Sequence, residues 1–143
     1  MSSMKQTNSK QSPHIRTRTD HRSESASDYV EAVAQVIASN GVCRLRDLAE
    51  IFQITDASTH RAISRLKDLG LLESVPYGPI SLTRKGRDLA CKSQDIHRLV
   101  VEFLKAIGVP QDVAEIDAEG IEHHVSKETV AAFREFLNKN SGV

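Results

Sequence analysis

The sequence predicts a mainly α chain in two parts: helices closed by a short two-stranded hairpin, then an all-helical unit. Three observations predict it. Apolar residues recur at helical spacing through most of residues 28–137. Capping residues and glycines, among them Ser27, Gly41, Thr83, Gly108 and Ser126, punctuate those runs. A Pro76-Tyr77-Gly78-Pro79 turn separates two short runs of strand character. At 143 residues and 39% hydrophobic composition, the chain suits one compact unit or two small ones sharing a core. It has no Trp, four Phe and two Tyr, so that core is aliphatic.

Residues 1–26 are rich in Ser, Gln, Thr and Lys with almost no large apolar side chain, and are expected to form a disordered basic tail. Ser27 is the expected N-cap of a first helix from Asp28 to Gly41, with Tyr29, Val30, Val33, Val36 and Ile37 on its apolar stripe. A short helix follows, Leu45 to Phe52, facing inward through Leu45, Leu48, Ala49 and Phe52. Ile54 plugs a turn, Thr55 or Asp56 caps a further helix to Leu69, and Ala62, Ile63, Leu66 and Leu69 point inward. Leu71–Val75 and Ile80–Leu82 read as the hairpin. Helix-turn-helix plus hairpin is a winged helix, here over residues 27–92.

Thr83 caps a long linking helix, about residues 84–106, with Leu89, Ile96, Leu99, Val100, Phe103 and Leu104 as its stripe. Gly108 ends it, Pro110 opens a helix through Glu122, and Ser126 caps a last one over Lys127 to Leu137. The final stripe of Val130, Ala131, Phe133, Phe136 and Leu137 exceeds what so small a tail buries for itself, and suits a second subunit. Residues 93–143 thus form the second unit.

The zero net charge hides a gradient. Residues 44–92 hold nine Lys/Arg against six Asp/Glu, whereas residues 93–143 hold five against nine. A basic middle suits phosphates, and an acidic end suits cations. Ser58, Thr59, His60, Arg61, Ser64, Arg65 and Lys67 crowd the outer face of the second helix of the turn motif, and Tyr77, Arg84, Lys85 and Arg87 extend that edge. Such donors suit phosphates and base edges of double-stranded DNA, and each alone is equally an ordinary solvated side chain. Cys43 and Cys91 form no CxxC pair, so neither a zinc knuckle nor a disulfide framework is indicated, and each is expected to be a buried or half-buried hydrophobe. No apolar run is long enough for a membrane span or a signal core, and a cytoplasmic protein is expected.

Glu119-Gly120-Ile121-Glu122-His123-His124 places Glu119, Glu122 and His123 on one helical face. Asp28 and Glu31 share an i, i+3 spacing far upstream. Ile116, Ile121 and Val125 alternate with the acidic residues, which sets the carboxylates beside a core, where they repel unless a cation neutralises them. The plainer readings are a macrodipole-complementing first turn and a solvated acidic face. His97, beside the stripe of the long helix, reads alone as a packed histidine.

Asp28-Tyr-Val-Glu31, His97 and Asp117-Ala-Glu119-Gly-Ile-Glu122-His123-His124-Val-Ser126, in this order behind a winged helix, resemble the manganese-regulator branch of the diphtheria-toxin-repressor family. The resemblance covers residues 27 to about 138. It implies a Mn²⁺-activated transcriptional repressor of manganese uptake genes, working as a homodimer on a near-palindromic operator, with no membrane partner and no catalysis. It implies about two Mn²⁺ per subunit on Asp28, Glu31, His97, Glu119, Glu122 and His123, with Glu119 and Glu122 bridging, Glu31, His97 and His123 on one ion, and Asp28 on the other. His124 matches no ligand. The iron branch places a sulfur residue where Glu122 stands and adds a C-terminal SH3-like domain, not expected in a chain ending at Val143. Fe²⁺ still suits the donors, so an iron-responsive regulator is the alternative, followed by a metal-independent winged-helix regulator and a dinuclear metallohydrolase. The stretch Asp56-Ala-Ser-Thr-His-Arg61 lacks the Pro and apolar residue of the manganese regulators, so no operator sequence carries over.

Overall fold

Ser25 accepts a hydrogen bond from the backbone N–H of Asp28 (3.2 Å), and Asp28 Oδ2 accepts one from the backbone N–H of Ser25 (3.1 Å). This reciprocal cap starts helix α1, Ala26–Asn40. The expected cap, Ser27, loses to Ser25 because only Ser25 has a carboxylate three residues on; the residue at that offset from Ser27 is Val30. The computed structural model describes residues 25–141, so the expected tail lies outside them apart from Ser25 and Ala26. Gly41, at φ +85°, ends α1 in the left-handed region and donates to Ile37 O (2.8 Å).

Helices α2 (Leu45–Phe52) and α3 (Asp56–Asp68) form the helix-turn-helix, with Thr55 Oγ1 accepting from Ser58 N–H as the cap of α3. Strands β1 (Leu72–Ser74) and β2 (Ile80–Leu82) pair antiparallel in the register Leu72↔Leu82, Glu73↔Ser81 and Ser74↔Ile80. Ile80 N–H also donates to Cys43 O (2.7 Å), which ties the wing to the segment before α2. Helix α4 (Arg84–Ala106) is capped by Thr83, and its 23 residues span about 35 Å. Helices α5 (Gln111–Ile121) and α6 (Lys127–Ser141) then fold back onto it.

Two apolar clusters share α4. Tyr29, Val30 and Val33 of α1 meet Leu48, Ile63, Leu66, Leu72, Ile80 and the Ala90 of α4 in the first. Val100 and Val101 meet the fully buried Ala114 and Ala118 of α5 in the second, with Ile96, Ile121 and Phe133 against them. Small residues at 114 and 118 let α5 lie close on α4. Phe133 stacks on Phe103 at 3.9 Å, and Phe136 meets the same ring edge-on at 5.3 Å.

Several expectations are corrected. Leu69 is 49% exposed, because α3 stops at Asp68 and the chain turns away through Gly70 at φ +78°. Cys91 is exposed on the outer side of α4, whereas Cys43 is buried as expected. Helix α6 runs past Leu137 to Ser141, and part of its apolar stripe is consumed within the chain by Phe103. Gly86, in the first turn of α4, packs against the backbone of Leu71, and a Cβ there would overlap the Leu71 carbonyl oxygen. Gly86→Ala is therefore expected to destabilise the fold by about 1–3 kcal/mol. An unchanged urea midpoint would show that this approach has slack.

Candidate metal centre

On α5 the inward seam is buried Ala114 and Ala118 with half-buried Ile121, and the acidic residues Glu115, Glu119 and Glu122 stand one position further on at the same spacing. The carboxylates thus flank the seam against α4. They do not alternate with Ile116, which is 72% exposed, contrary to expectation, because its position faces away from α4. Helix α5 ends at Ile121; Glu122 keeps helical dihedrals as the C-cap, and His123 lies in the turn beyond it, not on the helical face expected.

That stripe meets His97 on α4. His97 Nδ1 lies 2.8 Å from Glu122 Oε1 and 3.9 Å from Glu119 Oε1, and Nε2 lies 3.4 Å from Glu115 Oε2. One donor atom each from His97, Glu119 and Glu122 falls within 4.8 Å of the others. From α1, Glu31 Oε2 accepts a short hydrogen bond from Ser93 Oγ, one turn before His97. The turn after α5 brings His123 Nε2 to 3.1 Å from Asp28 Oδ1, while Asp28 Oδ2 serves the cap of α1. His123 thus contacts Asp28. Ser93 and Glu115 escaped the sequence reading, although each sits four residues before a candidate ligand.

Electrostatics mark the same place. The Glu122 carboxyl is pushed up to about 7, chiefly by burial, against the opposing pull of His97 and with smaller upward contributions from Glu119 and Glu31. Burial also raises Glu31, against the Ser93 hydrogen bond, and Asp28 and Glu119 add to the rise. For His97, burial lowers the pKa, but Glu122, Glu115 and Glu119 outweigh it and the net direction is up. Crowding of carboxylates around a poorly exposed one disfavours its ionised form and favours a cation beside it. The donor set, hard carboxylate oxygens and imidazoles without sulfur, fits a divalent ion.

The basic face is built on α3 and the wing. His60, Arg61, Ser64 and Arg65 are exposed on α3, Ser58 is half-buried and accepts from Arg61 Nη2 (3.1 Å), and Tyr77 is fully exposed at the wing tip. Lys67 Nζ donates to Ser74 O and Lys85 Nζ to Leu69 O, both at 3.0 Å, while Arg84 is exposed. Thr59 corrects its assignment to the outer face: it is fully buried, and its hydroxyl donates to Thr55 O (2.9 Å). Arg44 and Arg46 line the groove of about 660 Å³ between this helix pair and the wing, which the sequence reading did not include.

Residues 83–141 match the metal-binding and dimerisation domain of the iron-dependent repressors. Over 123 residues the chain is 39% identical to the transcriptional regulator MntR of Escherichia coli, covering 86% of this chain and 79% of that protein. It belongs to the MntR family of transcriptional regulators. The HTH-type regulator MntR of Lysinibacillus sphaericus is 34% identical over 102 residues, 71% of this chain and 73% of that one. A manganese-dependent transcriptional repressor solved in complex with manganese superposes with a TM-score of 0.69 at 27% identity, over 80% of this chain and 53% of that one. The IdeR structure of T. acidophilum shares the fold with a TM-score of 0.68 at 24% identity, over 85% of this chain and 56% of that one. The chain thus spans little more than half of those two longer proteins. The matched domain includes His97, Glu119, Glu122 and His123, whereas Asp28 and Glu31 arrive from outside it. Among the described residues, no helix is long and apolar enough to cross a membrane.

Glu122, Glu31 and His97 all have raised pKa values, so the folded chain binds more protons than the unfolded one. Their stabilisation is complete below the unfolded values and is lost as pH rises through the folded ones, for Glu122 near 7. Calorimetry of the metal-free protein is expected to give a lower Tm at pH 8 than at pH 5.5, with a flatter profile in Glu122→Gln. A Tm that climbs over this range contradicts the electrostatic picture.

Proposed function

We propose that this chain is a manganese-responsive repressor, and that Asp28, Glu31, His97, Glu119, Glu122 and His123 hold two divalent ions per subunit. The observation that carries this reading is the convergence of hard donors from α1, α4 and the end of α5 around the largely buried carboxylate of Glu122, whose side chain is 5% exposed. Manganese is favoured by four carboxylates and two imidazoles without sulfur, and by the likeness to a manganese-dependent repressor. Fe²⁺ suits the same donors, and the matched domain is that of iron-dependent repressors. The contact between His123 and Asp28 supports one donor group there and a second at Glu31 and His97, with Glu119 and Glu122 between.

A bound divalent ion supplies the positive charge these carboxylates lack. Asp28 and Glu31 stand on the same helix as Tyr29, Val30 and Val33, which pack the winged unit. Holding those two carboxylates toward α4 and α5 therefore holds the winged unit as a rigid body, since a packed core transmits displacement. The chain pairs as a homodimer through its C-terminal helices, where Val113, Ile116 and Phe136 leave apolar surface exposed. Two α3 helices then address successive major grooves of a near-palindromic operator, about 34 Å apart or a multiple of that spacing. Exposed His60, Arg61, Ser64 and Arg65 face the DNA, and Arg84, Lys85 and Tyr77 flank it. Repression of manganese uptake genes is the output.

In mobility shifts on the chain's own promoter, Mn²⁺ is expected to tighten binding about 5- to 150-fold, a coupling of ~1–3 kcal/mol. EDTA reverses the effect, and Glu122→Ala and His123→Ala abolish the response while leaving the weak metal-free binding in place. Binding indifferent to both Mn²⁺ and EDTA excludes the mechanism.

A further inference from the structure

The ring of His97 has two nitrogens with different surroundings. Nδ1 faces Glu122 and Glu119, and Nε2 faces Glu115 Oε2 at 3.4 Å. Glu115 is itself steadied, because its other oxygen accepts a hydrogen bond from Gln111 Nε2 (3.1 Å). Gln111, Glu115, Glu119 and Glu122 follow one another along a single stripe of α5, so the helix that carries two candidate ligands also carries the support of a third. Beyond Glu115 the site opens into a groove of about 390 Å³ lined also by Gln94, Arg98 and Glu102.

A neutral imidazole has one lone pair and one N–H, so a ring that gives its lone pair to an ion must place its proton on the other nitrogen. Two arrangements compete, and they differ in which nitrogen faces the remaining donors. An ionised carboxylate only accepts, so Glu115 at the Nε2 side favours the arrangement in which Nε2 carries the proton and Nδ1 is free. Water in the open groove donates and accepts alike, and gives no such bias.

Resting on the metal-site reading above, we propose that Glu115, held by Gln111, is a positioning residue that fixes the tautomer and ring orientation of His97, so that Nδ1 serves as the ligand atom. Glu115 touches no ion in this scheme. It acts through His97, and raises the donor strength of the imidazole.

Mn²⁺ titration of the full chain by calorimetry, with proton NMR of the Cd²⁺-loaded protein as a diamagnetic stand-in, tests this. Glu115→Ala is expected to weaken uptake of the ion that takes His97 by about 10- to 100-fold, the usual cost of losing such a partner. The ion at Asp28 and His123 keeps its affinity. In the Cd²⁺-loaded wild type the His97 Nε2–H proton gives a slowly exchanging resonance, lost in Glu115→Ala. Glu115→Gln keeps an acceptor in place and restores most of the affinity and the resonance. Glu115 is exposed, so neither substitution removes core contacts. Unchanged affinity and resonance in Glu115→Ala overturn the proposal, and so does an equal loss at both ions without rescue by Glu115→Gln, which is general electrostatics. A wild-type chain that takes up neither Mn²⁺ nor Cd²⁺ overturns the metal-site reading and this proposal together.

Discussion

Glu115, Glu119 and Glu122 gather their carboxylates around the imidazole of His97, while Glu31 and Asp28 of α1 meet Ser93 and His123; under the proposed function, the placement of the winged unit depends on how that charge is compensated. Asp28 and Glu31 come from the first two turns of α1, Glu119 and Glu122 from the end of α5, and His97 stands between them on α4. Each acidic side chain alone is an ordinary surface residue. Together, at the low exposure of Glu122, they cannot all ionise without cost. Raised proton affinity at Glu31, His97 and Glu122 expresses that cost, and a divalent ion would offset it.

Helix α4 makes the charge cluster consequential. Its N-terminal half carries Ala90 into the winged core, and its C-terminal half carries Val100 and Val101 against α5. His97 and Ser93 lie between the two cores, so the site occupies the junction and not the centre of either. A site at a junction senses how the cores sit relative to one another, whereas one inside a core would mainly stabilise it. Members of the MntR family are transcriptional regulators, and a charge-sensitive junction is a physical means of regulating.

Much of this was legible in the sequence, for reasons visible in particular residues. Helical spacing identifies Val30, Val33, Leu48, Leu66 and Val100 as core, and the Pro-Tyr-Gly-Pro turn locates the hairpin. Where the reading failed, a local competition or a three-dimensional contact decided. Ser25 won the cap of α1 through Asp28, Leu69 left its helix one residue early, and Thr59 turned its hydroxyl inward to Thr55. The approach of His123 to Asp28 joins residues 95 positions apart in the sequence and depends on how the chain turns after α5. Ser93 and Glu115 show a different lesson: they sit at helical spacing from His97 and Glu119, but support of a ligand has no signature until the ligand's neighbours are known.

Under the proposed function, occupancy of the junction holds α1 against α4 and α5. Hydrogen exchange along α1, with and without saturating Mn²⁺, in wild type and in Glu122→Gln, tests it most directly. Mn²⁺ is expected to slow exchange in the first turns of α1 together with the end of α5, and a change confined to Glu122 to abolish the protection of α1. Protection restricted to α5, with α1 exchanging at the same rate in every condition, would contradict it.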